Sequence, residues 1–222
     1  DLTPEEIESG LTDGGGDGGI DAAYVFLNQE LLTDQHEVFQ PGFVPDASYR
    51  LASISLWLVQ AKEEKSFKSG TLVTVMAGLR DMLDLQKDRK RLKKDGYSDL
   101  VLDRIFEFRN ALASLRRMHP SPSVNFSYVT TGDTGKLAKT ATVKAAALEK
   151  MLKDDLRMGT PTTRFIGSEE IWDALKETPS YGSELRVLES FAHDTDDSSR
   201  SYVCLVTLKN YLSFIRDEHD GT

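Results

Sequence analysis

Apolar positions along this chain fall into two alternating patterns, short dense runs and longer series spaced by three or four. Pro4-Glu5-Glu6-Ile7-Glu8 follows Thr3, with Glu6 three residues on, which is the signature of a capped helical turn. A glycine-rich stretch, Asp13 to Gly19, ends that turn and leads into a strand over Ile20 to Leu32 centred on Tyr24-Val25-Phe26-Leu27. Thr33 to Ser48 reads as a polar loop, broken by Pro41, Gly42 and Pro45. Tyr49 to Lys62 is the next strand region, and its run Ile54-Ser55-Leu56-Trp57-Leu58-Val59 is dense enough for a buried central strand. These two strand segments are expected to be neighbours in one sheet.

Two helices follow. Leu72, Val75, Met76, Leu79, Met82 and Leu83 form one stripe, and Val101, Ile105, Phe108, Leu112 and Leu115 the other. Val124 to Thr130 then reads as a strand with Val124, Phe126 and Tyr128 on one face, Leu137 to Leu156 as a helix, and Thr163 to Ile166 as a short strand. Ser168 starts a helix holding Ile171, Trp172 and Leu175. Leu185 to Leu188 and Tyr202 to Leu208 read as strands around an acidic turn, His193 to Ser199, before a last helix with Tyr211, Leu212 and Ile215. The alternation predicts an α/β domain with a mixed sheet and helices on both faces. Trp57 and Trp172 sit in apolar periodic context and are expected in the core.

Composition narrows the class. The chain has 222 residues, 39% hydrophobic and 28% charged, an ordinary globular balance that can bury a substantial core. No apolar run approaches the length of a membrane span, no signal segment opens the chain, and cytoplasmic residence is expected. The single Cys204 excludes an internal disulfide and lies in an apolar run, so it is expected to be a buried, inert thiol. His36, His119, His193 and His219 are scattered without metal-ligand spacing, which disfavours a zinc hydrolase. The net charge of -9 argues against nucleic-acid binding by bulk charge alone, but not against a nuclease, whose site gathers carboxylates for a metal.

Gly18-Gly19-Ile20-Asp21 enters the first strand and Val59-Gln60-Ala61-Lys62 leaves the next. Residues two apart in a strand share a face, so Gln60 and Lys62 point the same way, and Asp21 lies beside them if the strands are adjacent. A carboxylate, an amide oxygen, an ammonium and the backbone carbonyl of Ala61 would then surround one point. Hard oxygen ligands suit Mg²⁺, and a lysine beside it can position or deprotonate water or stabilise developing charge. The set suits phosphodiester hydrolysis.

These residues carry a resemblance. The string Gly15-Gly16-Asp17-Gly18-Gly19-Ile20-Asp21-Ala22, followed by a strand ending in Gln60-Ala61-Lys62, resembles the restriction-endonuclease-like (PD-(D/E)xK) superfamily, in its Mrr-like branch where glutamine replaces the usual acid. The longer string Asp13 to Val25 is similar to the amino-terminal region of the abortive-infection phage-resistance (AIPR) family. Ser66-Phe67 and the helix after them, Phe126 to Asp133, and Tyr202 to Ile215 also resemble that family. The resemblance implies a restriction-endonuclease-like mixed sheet flanked by helices, a single domain over 1–222 with the catalytic motifs and long helices in 1–133, and an α/β continuation over 134–222 that leads to a carboxy-terminal domain absent from this sequence.

It further implies a DNA endonuclease of prokaryotic anti-phage defence using Mg²⁺ or Mn²⁺. Asp21 and the Ala61 carbonyl would hold the metal, with Asp17 a second candidate ligand; Gln60 would shape the site and Lys62 assist the attacking water. Paired cuts in duplex DNA would call for a homodimer. The superfamily's further upstream acid has only Glu5, Glu6 and Glu8 as counterparts here, close to the glycine run, so its equivalent is expected before Asp1. Two other functions fit the same residues: an idle module that binds nucleic acid or a partner protein, since glutamine is a poorer metal ligand than a carboxylate, and an RNase.

The remaining motifs have plainer alternatives. The basic run Lys87, Arg89, Lys90, Arg91, Lys93 and Lys94 reads first as a solvated helix end and second as a DNA-backbone contact. Asp13, Asp17 and Asp21 lack EF-hand spacing, and no Gly-Lys-Ser/Thr follows the glycines, so calcium-loop and NTP-loop readings fall away. Glu63 and Glu64 read first as helix-start acids, with Glu64 a second choice for supporting the site, and Thr130, Thr131 and Asp133 read first as a turn and second as cleft-lining residues.

Overall fold

The structure is a computed structural model that describes residues 2–12, 14–155, 157–177, 185–194 and 200–217. Contacts divide the chain into two compact units, 1–173 and 174–222, with the boundary inside a helix rather than the single domain expected for 1–222.

The first unit is built on a five-stranded mixed sheet in the order β2-β1-β3-β4-β5, with β1 Ala22–Leu27, β2 Glu30–Leu31, β3 Ser53–Lys62, β4 Ser121–Thr130 and β5 Thr162–Ile166. β1 runs antiparallel to β3, while β3, β4 and β5 are parallel. The expected long strand over 20–32 is instead a hairpin. Asn28 and Gln29 both take positive φ, at 50° and 76°, as a two-residue turn requires. The Asn28 side chain accepts a hydrogen bond from the Ser53 amide at 2.9 Å, which ties the turn to the start of β3.

The helices are α1 Pro4–Ser9, α2 Ser69–Met82, α3 Arg89–Lys94, α4 Asp99–Ser114, α5 Lys139–Asp154 and α6 Ser168–Glu177. Thr3 and Glu6 form the expected reciprocal cap on α1. Ala23, Val25 and Leu27 lie opposite Leu58, Leu56 and Ile54, and all six are buried. With Val124, Phe126 and Tyr128 they face the apolar stripes of α2 and α4, in one continuous core. Burying a side chain of this size stabilises by roughly 1.5–3 kcal/mol.

The other sheet face is less covered. Trp57, opposite Tyr24 and edge-on to Phe26, is 41% exposed, not a core residue. β3 alternates strictly, and Trp57 falls on the odd-numbered face while the core takes the even one. Trp172 is likewise exposed.

The second unit pairs β6 Glu189–Asp194 with β7 Arg200–Leu205 in an antiparallel hairpin, followed by α7 Leu208–Asp217. The strand expected over 185–188 lies instead at 189–194, where it pairs from Glu189 opposite Leu205 to Asp194 opposite Arg200. Most of the expected acidic turn, 195–199, lies outside the described residues. Cys204 is exposed, not buried as its apolar neighbours suggested, and Val203 and Leu205 on either side of it are exposed as well. Among the described residues no helix is long and apolar enough to cross a membrane.

Candidate active site

The antiparallel pairing ends with Ala22 opposite Val59, which leaves Asp21, one residue earlier, beside Val59 and the end of β3. The Asp21 amide donates to the Val59 carbonyl at 2.8 Å, one residue out of the β1–β3 register, so the regular ladder breaks at this position as at a bulge. One carboxylate oxygen of Asp21 accepts from the Ala61 amide at 2.7 Å and from the Gln60 side-chain amide. Within a strand the N–H and C=O of one residue point to the same side. The Ala61 carbonyl therefore also faces Asp21, and it accepts from the Gln60 amide at 3.3 Å.

Gln60 is 1% exposed. Both groups facing its amino end are acceptors, Asp21 and the Ala61 carbonyl, and that fixes which end of the amide points where. The other end lies toward the glycine loop: a Cβ on Gly19 would sit 3.4 Å from the Gln60 oxygen and 3.2 Å from Val75. Gly19 has φ +81°, a conformation that β-carbon-bearing residues rarely adopt. Lys62 shares the β3 face of Gln60 two residues on, at the exposed strand end, and forms no ion pair among the described residues. The structure thus brings Asp21, Gln60 and the Ala61 carbonyl into direct contact and leaves Lys62 reaching into solvent at the same strand end.

Asp17 is turned to a different task. Its carboxylate accepts from the Gly19 amide at 2.6 Å and so folds the loop that delivers Asp21. Asp13 lies outside the described residues. Among the described residues no group of three His, Cys, Asp or Glu side chains converges as a metal cage. The donors at Asp21 are hard oxygens, a carboxylate and a carbonyl, which fits a cation such as Mg²⁺ that keeps most of its waters and takes few protein ligands. Gln60 presents N–H groups and not an oxygen to that point, so its role here is to orient Asp21.

The basic run is largely neutralised from within. Lys87 pairs with Asp81 and Asp95, Arg89 with Asp99 and Asp103, Arg91 with Asp95, and Lys93 with Asp99. Lys90 and Lys94 are exposed and form no ion pair among the described residues. The run is nevertheless near the site, since the Ser98 amide just beyond α3 donates to Gly16 of the glycine loop at 2.8 Å.

A cleft of about 260 Å³ opens at the carboxyl end of β3 and β4, lined by Lys65, Ser66, Phe67, Thr131, Gly132, Asp133, Lys136 and Ser168. Thr131 and Asp133 were legible as cleft-side turn residues. Lys136 lies three residues beyond Asp133 on the same turn, while Ser168 comes from a distant segment that the parallel pairing of β4 with β5 brings in. A roomier cleft of about 450 Å³, between the loop after β2 and α4, is lined by Asp34 and Glu107, away from Asp21. Burial pushes the Glu107 carboxyl up to about 7, outweighing the attraction of Arg104 at 2.8 Å. No family model, curated protein or solved structure matches the chain.

Proposed function

We propose that this chain carries a metal-dependent nuclease domain that cleaves DNA, in the setting of prokaryotic defence against phage. The observation that carries the reading is the contact of Asp21 with Gln60 and the Ala61 backbone, with Lys62 on the same strand face. The resemblance of the Gly15–Ala22 and Gln60–Lys62 motifs to restriction-endonuclease-like proteins supplies the reaction class.

Asp21 and the Ala61 carbonyl would hold the cation, which supplies Lewis acidity toward a phosphate and lowers the pKa of bound water. Gln60 and the Ala61 amide fix the carboxylate through two N–H bonds to one oxygen and leave its other oxygen for ligation. The Lys62 ammonium lies at the strand end, where it can bind a non-bridging phosphate oxygen and stabilise the charge that develops during attack. The glycines at 18 and 19 keep side chains away from the approach to Asp21.

Incubating supercoiled plasmid with purified protein and Mg²⁺, against Asp21→Ala and Lys62→Ala, tests this reading. Nicking by the wild type and none by either variant is expected. RNA in parallel separates a DNase from an RNase.

A second reading is favoured by one observation. The Gln60 amide already occupies an Asp21 oxygen with a neutral donor. An idle binding module would keep that bond and would show no heat of Mg²⁺ binding by calorimetry.

A further inference from the structure

The cleft at the carboxyl end of β3 and β4 has the character of an anion site. Lys65 and Lys136 line it together with the hydroxyls of Ser66 and Ser168 and the ring of Phe67. The ring is held rigidly: Phe67 is 6% exposed and packs edge-on to Tyr128 and Phe165 at 5.4 and 5.1 Å.

The walls are held by backbone bonds between three separate loops. The Thr131 amide and hydroxyl both donate to the Glu64 carbonyl at 3.0 Å, and the Ser168 amide donates to the Gly132 carbonyl at 3.0 Å. A Cβ on Gly167 would come within 2.4 Å of the Gly132 carbonyl, so these loops meet as closely as backbone permits. A site preformed in this way loses little ordering entropy when it binds. Lys65 forms no ion pair among the described residues, whereas Lys136 is held by Asp133 at 2.9 Å.

The position gives the cleft its purpose. Lys65 follows Lys62 by three residues, and Thr131 follows Thr130, the partner of Lys62 in the parallel register. In open α/β sheets ligands gather beyond the carboxyl ends of the strands. We propose that this cleft binds a backbone phosphate of the DNA strand next to the one at Asp21, through Lys65, Ser66 and Lys136, with Thr131 holding the wall through its two bonds to the Glu64 carbonyl. The proposal rests on the nuclease reading for its ligand, and Asp133 is the group that opposes binding there.

The test is binding of a short fluorescent DNA duplex in EDTA, where no cleavage occurs, over a range of salt concentrations. Lys65→Ala is expected to weaken binding several-fold and to make the log–log salt slope shallower by about 0.9, the loss of one phosphate contact. Asp133→Asn, which keeps an oxygen for the Gly135 amide, is expected to tighten binding, a gain that a merely structural role would not produce. Unchanged affinity and slope in both variants would overturn the proposal.

Inorganic phosphate as the competitor separates the two sources of the same chemistry. Displacement only at high concentration supports the DNA-backbone site. Tight phosphate binding that leaves the duplex in place would overturn it. Cleavage by the wild type with unaltered binding in Lys65→Ala would sink the cleft and spare the nuclease reading. No cleavage, with binding altered as expected, would do the reverse.

Discussion

Gln60 and Glu107 are both polar side chains drawn out of solvent, and their surroundings treat them differently. Gln60 meets two acceptors with its amide hydrogens, so its burial costs little. Gln60→Glu would set a second carboxylate against Asp21, and like charges at contact disfavour ionisation. The variant is expected to melt lower than wild type at pH 8 without divalent cations, and to gain more Tm when Mg²⁺ is added. Equal melting with and without Mg²⁺ would remove the case for a cation at Asp21.

Glu107 is the opposite case, a carboxyl whose folded pKa lies near 7 against an ordinary 4.5 because it is desolvated. Between those values the folded state holds more protons than the unfolded one, so stability falls as pH rises from about 4.5 to about 7. Glu107→Gln should flatten that fall in a series of thermal melts. At this scale the sequence was partly legible. Strand alternation placed Gln60 and Lys62 on one face, and the Asp17–Gly19 bond is a local turn that Asp-Gly-Gly favours, whereas the burial of Glu107 depends on folded neighbours that no spacing encodes.

Among the elements, the glycine loop against α2 is the contact that presents Asp21. Gly78 in α2 faces Gly18, where an added Cβ would lie 3.0 Å from the Gly18 carbonyl oxygen. Alanine is the better helix former by about 1 kcal/mol, but backbone cannot move aside as a flexible side chain can, and overpacking costs about 1–3 kcal/mol. Gly78→Ala is therefore expected to lower Tm, read by circular dichroism, and to reduce cleavage with it.

The apolar stripes of α2 and α4 and the strands β3 and β4 were readable from period alone. The β1–β2 hairpin was not, because its turn is set by positive φ at Asn28 and Gln29 and not by glycine or proline. The basic run showed its charge in the sequence but not the four aspartates that fold back on it. Asp99 pairs with both Arg89 and Lys93 at 2.7 Å, and Asp99→Asn should leave Tm nearly unchanged, since these pairs are exposed and screened by solvent.

Taken whole, the chain is an acidic molecule whose negative charge is used locally, in ion pairs around α3 and in the loop that carries Asp21. The α/β class and the mixed sheet were legible because dense runs and helical stripes alternate. The division into two units was not, since it falls inside α6, where the pattern is continuous. A fragment spanning 1–177 is expected to unfold in one cooperative thermal transition, with the sheet core and the Asp21 contacts intact. A fragment that fails to fold would show that residues beyond 177 are needed by the first unit.

We propose that Asp21, Gln60, Ala61 and Lys62 form a hydrolytic site for DNA. Its most direct test is Mg²⁺-dependent cleavage of DNA and RNA by the purified wild type beside Lys62→Ala, with circular dichroism to confirm that the variant is folded. Metal-dependent cleavage of DNA by the wild type and none by folded Lys62→Ala is expected. Cleavage retained by Lys62→Ala, or a wild type inert toward DNA in Mg²⁺ and Mn²⁺, would contradict the proposal.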